Sequence, residues 1–308
     1  MTATPPSSSN KICGTVAIIG APNAGKSTLV NQMVGAKVSI VSPKVQTTRN
    51  RILGIAIEGP AQVILIDTPG LFIPETRLDR AMVGAAWGGA SDGDLVAYLF
   101  DVTKKSINGN DRKVLERLKE MSAERPIILI LNKVDAIQKV KLLKLATDMN
   151  ELCPFAATFM ISAKTGDGVN DVMAYFIKHL PQSDWIFEDD QITDMPSRLL
   201  AAEITREQIF LQLHEELPYA ITVETESWEE FENGDVRLEQ TIHVEREQQK
   251  AIVVGRAGAR LQEIGSMARA ELQKSFDRKV HLKLFVRVTD RWKDDPLYYA
   301  TWGLDQSK

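Results

Sequence analysis

The chain has little of what marks secreted, disulfide-bonded or membrane-spanning proteins. Its 308 residues include two cysteines, Cys13 and Cys153, whose spacing fits neither a disulfide framework nor a metal site. No apolar run approaches the roughly 20 residues that cross a bilayer, and the first eleven residues lack the apolar core of a secretory signal. We therefore expect a cytoplasmic protein with reduced thiols that begins with a flexible polar tail over residues 1–11.

The remaining composition is ordinary for a globular protein, with 44% hydrophobic and 25% charged residues. A chain of 308 residues is too long for one typical domain and short for three. Strand and helix patterns alternate over residues 12–181, whereas residues 182–196 are acidic and show little periodicity. We predict an α/β domain at 12–181, an acidic linker at 182–196 and a second domain at 197–308.

Apolar runs in the first domain predict six strands, and the amphipathic stretches between them predict five helices. The strands are expected at 14–19, 52–58, 61–66, 95–101, 127–131 and 158–161. The helices are expected near 26–34, 80–87, 111–122, 138–151 and 170–180. Because Glu58, Gly59 and Pro60 join the second and third strands as a hairpin, one edge strand should be antiparallel. The pattern predicts a doubly wound, mostly parallel sheet with its ligand at the carboxyl ends of the strands.

A phosphate-binding loop of the form G-x-x-x-x-G-K-S follows the first predicted strand directly. The loop and the first helical residue after it are Gly20, Ala21, Pro22, Asn23, Ala24, Gly25, Lys26, Ser27 and Thr28. Backbone N–H groups of the loop and the positive end of the helix can converge on a polyphosphate. Lys26 is expected to contact the β- and γ-phosphates, and the Ser27 hydroxyl is expected to bind Mg²⁺.

Two further segments predict the rest of the metal site and the γ-phosphate sensor. Thr48 is expected to supply the second hydroxyl for Mg²⁺, with Thr47 as the alternative. Asp67 ends the third strand, where its carboxylate can hold the metal through water, and the Gly70 N–H is expected to sense the γ-phosphate. This D-x-x-G motif consists of Asp67, Thr68, Pro69 and Gly70. Taken alone, it is equally compatible with an ordinary turn.

Two motifs at the ends of later strands predict the choice of base. They consist of Asn132, Lys133, Val134 and Asp135, and of Ser162, Ala163 and Lys164. A carboxylate only accepts hydrogen bonds, so Asp135 suits the N1–H and exocyclic amine of guanine, whereas adenine presents an acceptor at that ring nitrogen. Lys133 can lie across the base, and the Ala163 N–H can donate to the guanine carbonyl. Together the motifs predict GTP and GDP, not ATP, as ligands.

Two positions bear on hydrolysis itself. Leu71 follows Gly70 where Ras-like GTPases carry a water-orienting Gln, so a slow intrinsic rate is expected. Asn23 resembles the asparagine with which potassium-dependent GTPases hold a monovalent cation near the phosphates; local stabilisation of the turn is the alternative. Residues 36–50 and 71–79 flank the phosphate-sensing positions, so we predict that they are the switch loops.

Charge is sharply divided in the second domain. Residues 186–245 carry 16 acidic and three basic side chains, whereas residues 246–293 carry 12 basic and five acidic ones. The basic part surrounds a G-x-x-G turn and the helix after it, with Gly255, Arg256, Ala257, Gly258, Arg260, Arg269 and Lys274 as candidate RNA contacts. Such a positive surface is typical of a nucleic-acid site, although a solvated charged face is the alternative.

The G-x-x-G turn lies within a recognisable order of elements. A helix is predicted at 197–217, strands at 220–227 and 236–244, a helix from the turn to about 276 and a strand at 280–288. KH domains use such a turn to clamp about four nucleotides. The order α-β-β-α-turn-α-β resembles a type II KH domain, an α+β fold, and predicts binding of RNA and not DNA. A module that binds protein or mediates oligomerisation is the other open reading.

Over nearly its whole length the chain resembles the Era family of ribosome-assembly GTPases. The most specific stretches are Val38 to Ser42, Gln46 to Arg49, Asp67 to Leu71, Glu203-x-x-Arg206-Glu207, Glu216-x-Pro218-Tyr219 and Val254 to Gly258. The resemblance implies a P-loop GTPase domain followed by a KH domain, GTP hydrolysis in the cytoplasm, and binding near the 3′ end of small-subunit ribosomal RNA during 30S maturation. It also implies peripheral association with the inner membrane. We expect a monomer.

The chain departs from the family in two places. Family members often carry Asn-Lys or Lys-Gly between the two glycines, whereas this chain has Arg256 and Ala257, which leaves its base preference open. The C-terminus, for which a helix is expected, adds four aromatic residues that can stack on bases or, alternatively, pack against helices. They are Trp292, Tyr298, Tyr299 and Trp302.

Overall fold

Two β-sheets organise this computed structural model, which describes residues 11–289 except 45–46, 50, 105, 139 and 214–216. The following lie outside the described residues: the predicted tail up to residue 10, Gln46, Glu216, and the C-terminal segment for which a helix is predicted, with its aromatic residues. The described strands are β1 (Ile12–Gly20), β2 (Ile52–Glu58), β3 (Ala61–Asp67), β4 (Leu95–Asp101), β5 (Ile127–Asn132), β6 (Ala157–Ile161), β7 (Thr222–Glu230), β8 (Val236–Val244) and β9 (Val280–Val288).

The helices alternate with the strands in the first part of the chain and flank them in the second. They are α1 (Lys26–Val34), α2 (Arg77–Asp92), α3 (Gly109–Met121), α4 (Val140–Leu152), α5 (Val169–His179), α6 (Ser197–Gln212), α7 (Glu247–Val254) and α8 (Ala259–Phe276). Short 3₁₀ turns occur at Val134–Ala136, Leu217–Ala220 and Arg256–Gly258. None of the helices in the described part of the chain is long and apolar enough to cross a membrane.

The six-stranded sheet has the order β2-β3-β1-β4-β5-β6, and its strands are parallel except for β2 at one edge. This is the predicted doubly wound sheet, with the antiparallel edge strand produced by the hairpin. Apolar residues of α1 and α5 pack on one face of the sheet, and those of α2, α3 and α4 pack on the other. Because β1, β3 and β5 run in the same direction, the segments that follow them meet at one edge, as in other open α/β sheets.

The three-stranded sheet has the order β7-β8-β9, in which β7 is antiparallel and β9 parallel to β8. The elements follow the order α6-β7-β8-α7-turn-α8-β9, which is the predicted type II KH arrangement. Its core lies between the sheet and the helices and includes Ile209, Ile242, Val253 and Ile264, each of which is fully buried. Parallel pairing of β8 with β9 requires a crossover connection, and α7 and α8 supply it.

Three elements have bounds that the apolar pattern predicts wrongly. Helix α2 begins earlier because Thr76 and Asp79 form a capping box, and its small residues, of which Gly89 lies close to the sheet, dilute the periodicity. Helix α6 ends at Gln212 instead of residue 217, because Leu213, whose N–H still donates to the Ile209 carbonyl, has extended backbone angles of φ −95° and ψ 152°. Strand β7 extends to Glu230 because it continues past a bulge and pairs with the start of β8.

The segment predicted as a linker, residues 182–196, lies along the edge strand β2. The Ile55 N–H donates to the Ile192 carbonyl at 2.9 Å, and the Thr193 hydroxyl donates to the Leu53 carbonyl at 2.7 Å. An edge strand has backbone groups free to pair in this way. Such pairing needs no apolar periodicity, which is why the sequence pattern of this segment does not reveal it.

Candidate functional site

A cavity of about 570 Å³ lies at the carboxyl ends of the strands, where the phosphate loop faces the 36–50 loop. One residue of α6 reaches it from the second domain. The lining residues are Pro22, Asn23, Gly25, Lys26, Ser27, Thr28, Ile40, Val41, Ser42, Pro43, Thr47, Thr48, Gly70, Lys133 and Leu211. The cavity therefore lies where the sequence predicts a bound polyphosphate.

Lys26 is the buried cation of this cavity. Its Nζ donates to the carbonyls of Gly20 at 3.2 Å and Ala21 at 3.1 Å, so the ammonium group lies against the loop backbone. Burial lowers the pKa of Lys26 to about 8, and the neighbouring Asp67 carboxylate opposes that shift. A polyphosphate would supply the anionic partner that this buried ammonium group needs.

The three predicted metal-binding residues meet at one point. Ser27 Oγ donates to Asp67 Oδ2 at 2.6 Å and lies 2.9 Å from Thr48 Oγ1. Thr48 Oγ1 is in turn 3.5 Å from Asp67 Oδ2. The alternative, Thr47, directs its hydroxyl to the Lys44 carbonyl at 2.8 Å. The structure thus brings Ser27, Thr48 and Asp67 together and places the Thr47 hydroxyl elsewhere.

This cluster of oxygen atoms fits Mg²⁺, a hard cation that is usually held by one or two carboxylates together with phosphate and water oxygens. Asp67 is fully buried, and its Oδ1 has no hydrogen-bond partner among the described residues. Burial raises the pKa of Asp67, against the lowering effects of Lys26 and of hydrogen bonds from three hydroxyl groups. A divalent cation would satisfy the unpaired oxygen and stabilise the charged form of the carboxylate.

Asn132 joins the base-recognition motifs to the phosphate loop. Its Nδ2 donates to the Ala24 carbonyl at 2.7 Å, and its Oδ1 accepts from the Ala163 N–H at 2.9 Å. Gly25, with φ 99°, makes room for this amide, because a Cβ there would lie 2.3 Å from Nδ2. In the structure the Ala163 N–H thus donates to Asn132, which is held against the loop, and its donation to a guanine carbonyl stays a prediction.

Lys133 and Asp135 differ in their surroundings. Lys133 lines the cavity, and its Nζ lies 2.6 Å from Asp101 Oδ2. Partial burial would raise the pKa of Asp101, but hydrogen bonds from Lys133 and Thr103 outweigh this effect and hold the pKa below its usual value. The pair fixes the stem that is predicted to lie across the base. Asp135 is exposed on the 3₁₀ turn that follows, so its carboxylate is accessible to a ligand.

The contacts of Leu71 and Asn23 bear on their predicted roles in hydrolysis. Leu71 is buried in the apolar core that also includes Trp87, and its N–H donates to the Gly20 carbonyl at 2.9 Å. Its side chain is therefore engaged in packing. The Asn23 amide nitrogen donates to the Pro43 carbonyl at 2.7 Å. A cation would be bound by the amide oxygen, so turn stabilisation and cation binding are compatible.

The other predicted residues of the nucleotide site divide by burial. Thr28 and Gly70 line the cavity, and Thr68 donates from its hydroxyl to the Ile18 carbonyl at 2.8 Å. Pro69 and Ser162 are buried, Val134 is half-buried and Lys164 is exposed. The motif residues therefore surround the strand ends, but only part of them contacts the cavity directly.

Sequence reasoning missed two residues that hold the 36–50 loop. Ser39 donates from its hydroxyl to Asp67 Oδ2 at 2.6 Å. Asn31 on α1 accepts from the N–H groups of Val38 at 2.9 Å and Ser39 at 3.0 Å, and donates to the Ser39 carbonyl at 2.7 Å. A polar residue on the apolar side of α1 was the only local signal, because these contacts depend on how the loop folds back.

The G-x-x-G turn has a backbone that requires glycine at its first position. Gly255 has φ 72° and ψ 179°, and a Cβ there would lie 2.7 Å from Arg260 Cβ. This combination of angles is essentially restricted to glycine. Arg256 is exposed at the turn, and Ala257 adopts φ 51°, which is uncommon for a residue with a side chain. The turn thus offers an accessible backbone with one cation beside it.

The candidate RNA contacts beyond the turn do not form one cluster. Arg260 donates to the Ile252 carbonyl at 3.1 Å, so it also caps the end of α7. Arg269 lies about half a turn around α8 from Arg260, on the opposite flank of the helix. Lys274 lies about 24 Å along α8 from the turn. The structure brings only Gly255 to Arg260 together and separates Arg269 and Lys274 from them.

Comparison with known proteins places both regions among described families. The family described as 50S ribosome-binding GTPase matches residues 15–133, and the KH domain family matches residues 216–293. Proteins named GTPase Era are similar over almost the whole chain. That of Rhizobium meliloti (strain 1021) is 55% identical over 295 residues, covering 96% of this chain and 93% of the relative. That of Brucella suis biovar 1 (strain 1330) is 54% identical over 292 residues, covering 95% and 93%.

Two solved structures have the same architecture, each with a TM-score of 0.89 and 36% sequence identity. One is Era in complex with MgGDPNP and nucleotides 1506–1542 of 16S ribosomal RNA, and the match covers 96% of this chain and 99% of that one. The other is a variant of Aquifex aeolicus Era bound to GDP·AlF4⁻, with coverage of 95% and 99%. Both matches span the two sheets.

Proposed function

Since the chain belongs to the Era family of GTPases, we propose that it is a GTP-hydrolysing switch that binds the 3′ end region of small-subunit ribosomal RNA and assists maturation of the 30S subunit. The observation that carries this proposal is the pairing, in one chain, of two sites. One is the oxygen cluster of Ser27, Thr48 and Asp67 beside the phosphate loop. The other is the glycine-dependent turn at Gly255 within a KH fold.

For the nucleotide, we assign binding to residues 12–181. Lys26 would bind the β- and γ-phosphates, and Asp135 would accept hydrogen bonds from the guanine edge. Ser27, Thr48 and Asp67 would hold Mg²⁺. When bound, this ion neutralises the charge that develops on the phosphate oxygens during phosphoryl transfer.

In GTP hydrolysis, the residues of this chain act by positioning the phosphates. The Gly70 N–H would hold the γ-phosphate, while the buried Leu71 offers no group that orients the attacking water. The intrinsic hydrolysis rate should therefore be slow, and acceleration should come from another source of positive charge near the phosphates.

For the RNA, we assign binding to residues 197–308, which are joined to the GTPase domain by residues 182–196. The turn allows the closest approach of a nucleic-acid backbone, with Arg256 and Arg260 beside it. Arg269 and Lys274, which lie elsewhere on α8, would contact only a longer RNA. The matched structure holds a 16S ribosomal RNA fragment, which supports the choice of partner. We further propose that the protein acts in the cytoplasm as a monomer; peripheral membrane association remains a prediction.

A titration of a labelled RNA from the 16S 3′ end, with the full chain in its GTP-analogue and GDP states, tests this function. We expect tighter binding in the GTP-analogue state by about 5-fold or more, because the switch loops respond to the γ-phosphate and adjoin the second domain. Affinity should also fall as salt rises, since phosphate neutralisation releases counterions. A duplex DNA of equal length is the control. Equal binding of DNA and RNA, or no binding of either, would contradict the proposal.

Potassium should accelerate GTP hydrolysis through Asn23. We expect phosphate release to be about tenfold faster in KCl than in NaCl at matched ionic strength, because one additional charge contact of about 1.4 kcal/mol changes a rate by that factor. In Asn23→Ala the two rates should become equal. Identical rates in both salts for the unmodified protein would leave Asn23 with only its hydrogen bond to Pro43.

A further inference from the structure

Helix α6, the first helix of the KH fold, is buried on every side from residue 200 to residue 210. Its apolar residues pack in the core of the second domain, for example Ile204 and Ile209. Its charged residues Glu203, Arg206 and Glu207 are also buried. Buried charges are costly unless they are paired and hydrogen-bonded. Their partners therefore indicate what this helix does besides packing.

Arg206 contacts the backbone of the 36–50 loop. Its side chain is 1% exposed, and its Nη2 donates to the Thr47 carbonyl at 2.5 Å. Glu203 holds the guanidinium group through Nε at 2.8 Å and Nη2 at 2.5 Å, and the Phe210 ring centre lies 5.0 Å from it. The guanidinium is thus fixed from its own helix before it meets the loop, so the Thr47 carbonyl is bound by a pre-positioned donor.

The Thr47 carbonyl, which Arg206 binds, and the Thr48 nitrogen belong to the same peptide group. A peptide group is planar, so fixing the Thr47 carbonyl also fixes the Thr48 nitrogen and Cα in that plane. From that Cα the Thr48 hydroxyl reaches Ser27 Oγ at 2.9 Å. The position of Thr48 in the oxygen cluster therefore depends directly on a side chain of the second domain.

Among the other contacts between the two domains, one lies next to Thr48, because Arg49 donates from Nη1 to the Ile221 carbonyl at 3.1 Å. The others bind the loop farther from Thr48. Glu207 accepts from the Val41 N–H at 2.8 Å and pairs with Lys37 at 2.5 Å. Lys37 also pairs with Glu271 on α8 at 2.7 Å. The contacts of Glu207 and Lys37 hold the loop against the second domain, but they involve residues several positions before the metal site. They provide a comparison for the contact that Arg206 makes.

We propose that Arg206 is a positioning residue of the GTPase site, which acts through the Thr47 carbonyl to hold the Thr48 hydroxyl where Mg²⁺ is bound with GTP. The proposal rests on the proposed function, because it takes Thr48 as the second hydroxyl for the metal. The KH fold thereby contributes a residue to the nucleotide site of its own chain. Removal of a residue that orients a metal ligand commonly weakens metal binding by about 10- to 100-fold.

The test measures how much Mg²⁺ supports binding of a fluorescent non-hydrolysable GTP analogue, mant-GppNHp, to the full chain. In Arg206→Gln we expect the half-saturating Mg²⁺ concentration to rise by about 10-fold or more. Affinity for mant-GDP in EDTA should stay within about 2-fold, since neither metal nor γ-phosphate is then involved. Because Arg206→Gln leaves Glu203 buried without its partner, the double variant with Glu203→Gln removes that charge and should show the same Mg²⁺ effect.

Two further variants separate positioning from mere attachment of the domains. Glu207→Gln weakens the pair with Lys37 but leaves Thr47 untouched, so it should leave the Mg²⁺ requirement unchanged. In a Thr48→Ala background, Arg206→Gln should add no further loss, because its effect passes through Thr48. The proposal is overturned by an unchanged Mg²⁺ requirement in Arg206→Gln, by an equal rise in Glu207→Gln, or by additive losses with Thr48→Ala. Analogue binding without any Mg²⁺ dependence in the unmodified protein would overturn the proposed function as well.

Discussion

Replacing Gly255 with aspartate should reduce RNA affinity by about 10- to 100-fold while nucleotide binding persists. The backbone of Gly255, at φ 72° and ψ 179°, is one that other residues adopt only at a cost of about 1–3 kcal/mol. A Cβ would also lie 2.7 Å from Arg260 Cβ, so the turn must shift. The new carboxylate would in addition repel the phosphate backbone where it approaches most closely.

Gly234→Asp is the matched control for this substitution. Gly234 lies in the turn between β7 and β8, has φ 85°, and has no atom within 4 Å of an added Cβ. It therefore introduces the same charge at a similar backbone angle in the same domain. We expect it to retain most of the RNA affinity in a fluorescence titration. If both variants bind RNA like the unmodified protein, the turn is not the RNA site; Arg256→Glu, which reverses the adjacent charge, provides an independent check.

Replacing Lys26 with alanine should weaken binding of GTP and GDP by roughly 1.5–3 kcal/mol, the contribution of a hydrogen bond to a charged group. Such a change corresponds to an affinity loss of roughly 10- to 150-fold. The fold should persist, because Lys26 lines the cavity and does not belong to the apolar core. Circular dichroism and titration with mant-GDP measure the two properties separately.

Lys113→Ala is the control for loss of a lysine charge, since Lys113 is exposed on α3. It should leave nucleotide affinity unchanged. Global unfolding of Lys26→Ala, with normal nucleotide binding by whatever protein remains folded, would assign Lys26 to the core and not to the ligand. Normal binding by a fully folded Lys26→Ala variant would likewise contradict the phosphate-loop assignment.

The parts of the fold that the sequence predicts well are those that depend on local pattern. Strands β2 and β4 and helix α1 have the predicted bounds, because a continuous apolar run or a glycine marks each end. The oxygen cluster could likewise be predicted from the sequence, since the spacing of the phosphate loop and the end of β3 place Ser27 and Asp67 at one sheet edge. The sequence made Thr48 a candidate for the second hydroxyl that binds Mg²⁺, but the expected geometry alone could not decide between Thr48 and Thr47.

The contacts that sequence reasoning missed join segments far apart in the chain. Ser39 reaches Asp67 only because Asn31 holds the loop back against α1. Arg206 and Thr47 are likewise distant in sequence, and their contact depends on how the two domains are placed. A signal for the second contact was present, because charged residues inside an otherwise apolar helix need partners. The pattern could indicate that a partner exists but not which backbone group it is.

The composition of α6 also determines how readily the two domains can part. If the face of α6 toward the 36–50 loop were apolar, separation of the two domains would expose a surface prone to association. The face toward the 36–50 loop instead carries Glu203, Arg206 and Glu207, which recover hydration as soon as water reaches them. Water thus competes directly with the partner domain for these groups. The polar part of the contact can therefore break and re-form reversibly, whereas its apolar part, in which Ile52 shares a buried cluster with Leu200 and Ile204, favours keeping the two domains together.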